Sequence, residues 1–289
     1  MDSSALEPAN DLSRRDVVES LLRRHRVRPE KRLGQNFLID HQALDQVVLA
    51  AELGGDDTVL EVGAGLGTLT RQLARRVSRV VAVEYDRRVE PILRETIGQD
   101  RRIEIVIGDI LRIDLRRLMG DAPYAVVANI PYQITSHLIR LMLEAEMPPR
   151  RMVLTVQWEV AERILAVPGD MNLLALGVQA YGEARITARL TAASFYPSPR
   201  VDSAVLRIDL RPTRLGPQVA RTVFRLARAG FAQPRKKLRN AMAAGLHLAP
   251  AEVEDSLRRL DVSPDDRAED LSLDDWERLA AGWEQPHLP

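Results

Sequence analysis

The chain of 289 residues contains no cysteine. That excludes disulfides, thiolate-ligated zinc, iron–sulfur clusters and any thiol nucleophile. Histidine is scarce too. Five are scattered along the chain, none in a His-Glu-x-x-His or comparable spacing, so no metal site is expected. No apolar run approaches the ~18 residues that span a bilayer. The first fifteen residues carry Asp2, Glu7 and Asp11 and no apolar stretch, so they do not read as a secretory signal, and a cytoplasmic location is expected. Only three of the 41 basic residues are lysine (Lys31, Lys236 and Lys237), which reads first as a bias toward arginine codons.

The remaining composition is that of a core-forming protein, 45% hydrophobic and 28% charged, with room for a large domain and a small one. The net charge is zero, but unevenly distributed. From Ala251 onward twelve acidic residues face four arginines, a net of −8, so the first 250 residues carry +8. A basic body with an acidic end suggests a polyanionic partner.

Residues 1–13 are polar and unpatterned and are expected to be disordered. Short β-branched runs then alternate with helical patterns: Thr58–Val62, Arg79–Val83, Ile103–Ile107, Tyr124–Ala128 and Met152–Val156. This alternation implies an α/β fold with a doubly wound, mostly parallel sheet. Segments near 177–190 and 203–210 read as an antiparallel pair at the sheet edge. Residues 211–217 read as a linker, and 218–289 as a small helical domain, leaving 14–210 as the larger domain. Each informative residue lies just past the carboxyl end of a strand, where open α/β sheets bind ligands.

Gly63-Ala-Gly-Leu-Gly67 follows the first long strand and precedes a helical run. Glycines there permit a tight turn and let a ligand approach a helix N-terminus. Glu84 ends the next strand, where a carboxylate can accept from a ribose diol. Asp109 ends the one after, where a carboxylate can accept from an adenine amino group. Such a set suits a nicotinamide dinucleotide as well as S-adenosylmethionine. The Gly-x-Gly-x-Gly spacing, rather than Gly-x-Gly-x-x-Gly, favours the latter.

Asn129-Ile-Pro-Tyr132 follows the fourth strand and suits methylation of an exocyclic amino group. That nitrogen is a weak nucleophile because its lone pair is delocalised into the ring. The Asn129 and Ile130 carbonyls can accept its two N–H bonds and draw the lone pair out of conjugation. Pro131 fixes the backbone, and Tyr132 can stack on the flipped base. The work would be positioning for in-line displacement, with no strong general base. Ring-carbon methylation of a pyrimidine usually needs the thiolate this chain lacks.

Seven ordered motifs carry a family resemblance: Lys31–Leu38, Glu61–Thr70, Gly108-Asp109, Asn129–Tyr132, Gln157–Arg163, Phe195–Ser203 and Phe231–Asn240. Over roughly residues 20–245 the chain resembles the bacterial small-subunit rRNA adenine dimethyltransferases. The resemblance implies a Rossmann-like, class I methyltransferase sheet of seven strands with a small C-terminal helical domain. It implies S-adenosylmethionine as donor and N6,N6-dimethylation of two adjacent adenosines in the 3′-terminal hairpin of 16S rRNA, by a monomer. It further implies that Asn36 and Leu38 close over the cofactor, with Gly63, Gly65, Gly67, Glu84, Asp109 and Asn129 as its other contacts. Phe195 would sandwich the target base with Tyr132. In two places the chain departs from the family pattern: Met171–Ala175, read as a loop or strand start, and Pro234-Arg235, where a double arginine is usual.

Two basic segments are candidates for holding RNA. Residues 14–32 include Lys31 and Arg32. Residues 221–240 hold Arg221, Arg225, Arg228, Arg235, Lys236, Lys237 and Arg239 and no acid. Arg221, Arg225 and Arg228 share a helix face, with Phe224 and Phe231 on the neighbouring stripe. His137 reads as a surface residue and Glu159–Arg163 as a helix pair. Competing readings are a 23S rRNA adenine methylase of the macrolide-resistance type, a non-catalytic RNA-binding assembly factor on the same fold, and a dehydrogenase.

Overall fold

The computed structural model describes residues 11–212 and 215–283, leaving aside the side chains of Lys31 and Pro217. The chain runs α1 (Arg15–Arg24), β1 (Phe37–Leu38), α2 (His41–Ala51), β2 (Thr58–Val62), α3 (Thr68–Ala74), β3 (Arg79–Glu84), α4 (Glu90–Ile97) and β4 (Ile103–Ile107). It continues through α5 (Leu115–Met119), β5 (Ala125–Asn129), α6 (Thr135–Leu143), β6 (Arg151–Gln157), α7 (Trp158–Ile164), α8 (Leu173–Tyr181), β7 (Gly182–Leu190), β8 (Phe195–Tyr196) and β9 (Ser203–Leu210). Four helices follow: α9 (Pro217–Phe231), α10 (Leu238–Leu246), α11 (Pro250–Arg259) and α12 (Leu273–Gly282).

Seven strands form one sheet in the order β4-β3-β2-β5-β6-β9-β7. β2 is parallel to β3 and β5, β3 to β4, and β5 to β6, whereas β9 runs antiparallel to β6 from Arg151↔Asp209 to Gln157↔Ser203. The central strands are covered on both faces, which explains their predominantly apolar runs: Val59, Leu60, Val80, Val81, Val126 and Val127 are all fully buried. Helix α2 shows the local logic. Asp40 caps it by accepting from the N–H groups of Gln42 and Ala43, and Leu44, Val47, Val48 and Ala51 face the sheet core.

By contacts the chain divides into two compact units, residues 11–161 with 184–210, and residues 162–183 with 211–283. This differs from a break at 210. The segment expected to begin a strand at 177 is helical as far as Tyr181. Asn172 caps α8 by accepting from Leu174 and Ala175 N–H, and Ala175, Leu176 and Ala180 are buried in the core of the second unit. Met171–Ala175 is therefore no strand start: Met171 and Asn172 precede the helix and Leu173–Ala175 form its first turn, because the cap and a one-sided apolar face outweigh the β-like composition. Residues 1–10 of the expected disordered tail lie outside the described residues. Leu12, within the same expectation, is instead buried beside Val18, Leu21 and Leu22. In the expected linker, Leu215 is buried in the second unit, while 213 and 214 lie outside the described residues.

The acidic end is built into the helical unit. Val253, Leu257, Trp276 and Leu279 from α11 and α12 are fully buried with Val223, Leu226 and Met242 from α9 and α10. Phe224 stacks on Tyr181 with ring centroids 6.1 Å apart, and Phe231 meets Trp276 at 5.8 Å. Leu257→Ala should cost about 2–5 kcal/mol through lost burial and a residual cavity, lowering the denaturant midpoint of the helical unit. Truncation after Leu248 should remove that unit's cooperative transition altogether, which circular dichroism melts would read.

Candidate functional site

Parallel strands in register bring their carboxyl ends to one edge, and there a cleft of about 300 Å³ opens. It is lined by residues following β2, β3, β4 and β5 and by the segment 32–37. The size is that of a small-molecule site. Asn36, Gly63, Gly65, Glu84, Asp109, Asn129, Ile130, Pro131, Tyr132 and Arg32 all line it.

Glu84 organises one side. It is 7% exposed, and each carboxylate oxygen accepts one backbone N–H, from Gly65 at 2.8 Å and from Asp86 at 2.7 Å. Burial pushes its carboxyl above the usual range, opposed by those backbone bonds. Gly65 has φ 55°, and a Cβ there would lie 3.1 Å from the Phe37 ring. Gly67, expected to touch the cofactor, lies outside the cleft lining. A Cβ there would lie 2.8 Å from Thr96 Oγ1, so this glycine permits the close approach of α4 to the loop. Asp109 lines the cleft, with one oxygen accepting from the N–H of Leu111 at 3.1 Å and the other 3.5 Å from Arg112.

On the other side, Asn129 Nδ2 donates to the backbone oxygen of Asn36 at 3.0 Å. This orients the amide, leaving Oδ1 as the acceptor for an incoming N–H. The same bond ties segment 32–37 to the end of β5. The Tyr132 hydroxyl pairs with Ser203 Oγ at 2.8 Å, fixing the ring at the cleft, and burial raises the Tyr132 pKa.

Two expected contacts face away from the cleft. Leu38 and Phe195 are partners in the β1–β8 ladder, each 3% exposed and packed in the core with α2. A two-residue ladder turns both side chains inward, so neither side chain lines the cleft.

Three features went unassigned in the sequence. Gln35 donates to Asp86 at 2.8 Å, and Arg88 binds both Asp86 and Glu30, so the segment before β1 is latched to the loop after β3. Tyr85 lines the cleft and is 62% exposed. Glu61 lies within β2 at 1% exposure with Oε2 unpartnered. An acid inside a β-branched run was the available signal. Burial pushes its carboxyl up to about 8, with Thr70 opposing and the charge of Glu84 adding.

The basic candidates divide by their partners. Arg32 lies at the cleft, 81% exposed and 2.5 Å from Glu30. Lys237 and Arg239 both meet Asp265, at 3.0 and 2.5 Å. Arg221 bonds Gln218, and Arg225 is half-buried with Nε unpartnered. Arg228, Arg235 and Lys236 are exposed without an ion-pair partner among the described residues.

Residues 26–283 match the family model described as ribosomal RNA adenine dimethylase. The chain belongs to that family. As a ribosomal RNA adenine dimethylase it is an S-adenosylmethionine-type methyltransferase in fold and an rRNA-methylating enzyme in class. A curated relative from Dehalococcoides mccartyi, the ribosomal RNA small subunit methyltransferase A, is 40% identical over 264 residues, covering 91% of each chain. The crystal structure of the 23S rRNA methyltransferase ErmE superposes with a TM-score of 0.68 at 28% identity, over 86% of this chain and 100% of that one. A dimethyladenosine transferase from Plasmodium falciparum superposes at 0.69 and 23% identity over 84% and 95%, a likeness of fold.

For this dimethylase, the buried Glu61 generates a pH test. The folded carboxyl titrates near 8, against 4.5 for an unburied one. Above 4.5 the unfolded chain releases a proton that the folded chain retains. Stability from this group is thus present below about 4.5 and is lost as pH rises toward 8. Glu61→Gln carries no such proton. Its stability relative to wild type should rise on the order of a few kcal/mol between pH 5 and pH 8. Thermal melts at both pH values measure it, and an unchanged difference would refute the assignment.

Proposed function

We propose that this chain transfers methyl groups from S-adenosylmethionine to N6 of two adjacent adenosines in the 3′-terminal hairpin of 16S rRNA, acting on the small ribosomal subunit in the cytoplasm as a monomer. The observation that carries the reading is that Asn129–Tyr132 lines the same cleft as Glu84 and Asp109. Methyl donor and amino acceptor would thus meet at one edge of one sheet. The name of the Dehalococcoides mccartyi relative supports the small subunit as target.

The residues present fit the donor. Glu84 retains acceptor capacity for a ribose diol, Asp109 offers acceptors to an adenine amino group, and Val62 and Ile110 supply apolar walls. S-adenosylmethionine supplies an electrophilic methyl on a sulfonium when bound. Asn129 Oδ1 and the Ile130 carbonyl accept the two N–H bonds of the target amino group and direct its lone pair. The Tyr132 ring, held by Ser203, stacks on the base. Pro131 keeps the Ile130 carbonyl oriented. Because the nitrogen is activated by geometry, no side chain has to remove a proton before transfer.

RNA backbone contacts are assigned to Lys31, Arg32, Arg221, Arg228, Arg235 and Lys236. Lys237 and Arg239 exchange Asp265 for phosphate only at a cost, and Arg225 takes a packing role. Backbone contacts suit A-form RNA, whose base edges lie in a narrow groove.

Glu84→Ala should weaken S-adenosylmethionine binding by about 1.5–3 kcal/mol in calorimetry. Asn129→Ala should lower single-turnover methyl transfer far more than rRNA affinity, and near-normal transfer would remove that residue from the mechanism. Labelled donor with separate unmethylated subunits distinguishes the readings. Label in small-subunit dimethyladenosine is expected. Label in the large subunit would favour the chemistry named for ErmE, and none in either would favour an assembly role.

Arg235→Glu with Lys236→Glu should weaken subunit binding and flatten its salt dependence while leaving S-adenosylmethionine affinity unchanged. An unchanged salt slope would locate the RNA surface elsewhere.

A further inference from the structure

We infer that Trp158, backed by Arg189, is a stacking platform for a nucleotide flanking the target adenosine. The inference rests on the rRNA reading above and adds a second base-binding position to it.

Trp158 opens α7 directly after β6, and its backbone N–H donates to the Asp202 carbonyl at 3.0 Å. The next residue, Ser203, lies opposite Gln157 in the β6–β9 register and holds the Tyr132 hydroxyl. Trp158 therefore stands one residue beyond the contact that fixes the base-stacking ring. Asn129 is opposite Thr155 in the β5–β6 register. At about 3.3 Å per residue, the Trp158 backbone lies on the order of 10 Å past that level, within reach of nucleotides flanking a base at Tyr132.

The indole is half-buried and prepared on one side. The Arg189 guanidinium lies 4.7 Å from its ring centroid and is itself held by Asp202 at 2.9 Å. This is the geometry of a cation–π pair whose cation is fixed in place. Beside Asp202, Val201 is 46% exposed and Arg200 is exposed without an ion-pair partner among the described residues. An aromatic plane, an exposed apolar neighbour and an unpaired guanidinium form the combination that takes a base and its phosphate. Trp158 lies outside the cleft lining. A contact of this kind is made equally before and during methyl transfer, so it contributes to binding and not to turnover.

The test is steady-state methylation, by the full chain, of whichever unmethylated ribosomal subunit accepts label. Trp158→Leu should raise KM for the subunit about ten-fold with kcat within about two-fold. Its S-adenosylmethionine affinity in calorimetry should stay unchanged. Trp158→Phe should restore KM to within about three-fold, because a phenyl ring still stacks. Arg200→Ala should raise KM less and flatten its salt dependence. An unchanged KM in Trp158→Leu overturns the platform and leaves the rRNA reading intact. A defect that Trp158→Phe does not rescue assigns the residue to folding and overturns it as well. If the wild-type chain binds S-adenosylmethionine but labels neither subunit, the rRNA reading fails and the platform with it.

Discussion

Two backbone N–H groups on one buried carboxylate hold one side of this cleft together. Glu84 accepts from Gly65 on the loop after β2 and from Asp86 on the loop after β3. Those bonds fix two neighbouring loops with respect to each other at the sheet edge. They also offset part of the cost of keeping a carboxylate at 7% exposure. The glycine loop can take its shape only because positions 63, 65 and 67 carry no Cβ and adopt positive φ. Asp86 extends the same arrangement outward, because Gln35 and Arg88 bring the segment before β1 onto it. This half of the cleft is thus a chain of hydrogen bonds rooted in one side chain.

The other half of the cleft is organised by a different bond. Asn129 reaches across to the carbonyl of Asn36, so the amide proposed to orient the target nitrogen is itself oriented by the segment covering the cleft. Two asparagines far apart in the chain and on different elements are thereby coupled, and disturbing either side of the bond moves both the cover and the acceptor. Tyr132 is held independently, through Ser203 at the start of the antiparallel strand β9. The insertion of β9 between β6 and β7 is what brings the loop before it to the same edge.

Charge in this chain works mainly by local pairing. Arg207, 5% exposed, meets Asp209 and Glu52 and bonds the carbonyl of Ala50, joining the end of α2 to β9. In the helical unit Asp265 draws in both Lys237 and Arg239. Asp265 and Glu254, from the acidic end, thus pair with part of the basic segment before it. What remains without an ion-pair partner among the described residues, including Arg228, Arg235 and Lys236, is a smaller and more specific set of cations than the composition suggested.

Patterns of adjacent residues were enough to read the strand–helix alternation, the glycine turn after β2 and the clustering of Glu84, Asp109 and Asn129–Tyr132 at strand ends. Each depends on local sterics, and a parallel sheet then sends every strand's carboxyl end to one edge. The helix over Leu173–Tyr181 where a strand was expected from 177, the burial of Leu38 and Phe195, and the partners of Asp86 and Asp265 were not legible in this way. A composition of Leu, Val, Ala and Tyr serves a buried helix as well as a strand, so the cap at Asn172 and the neighbours of α8 decided between them. A two-residue ladder has too little sequence to declare which way it faces, so pairing with β8 decided that Leu38 points inward. Local sequence determined which residues end each strand. Tertiary structure alone decided which of them face the cleft, because side-chain direction and charge pairing depend on neighbours distant in the chain.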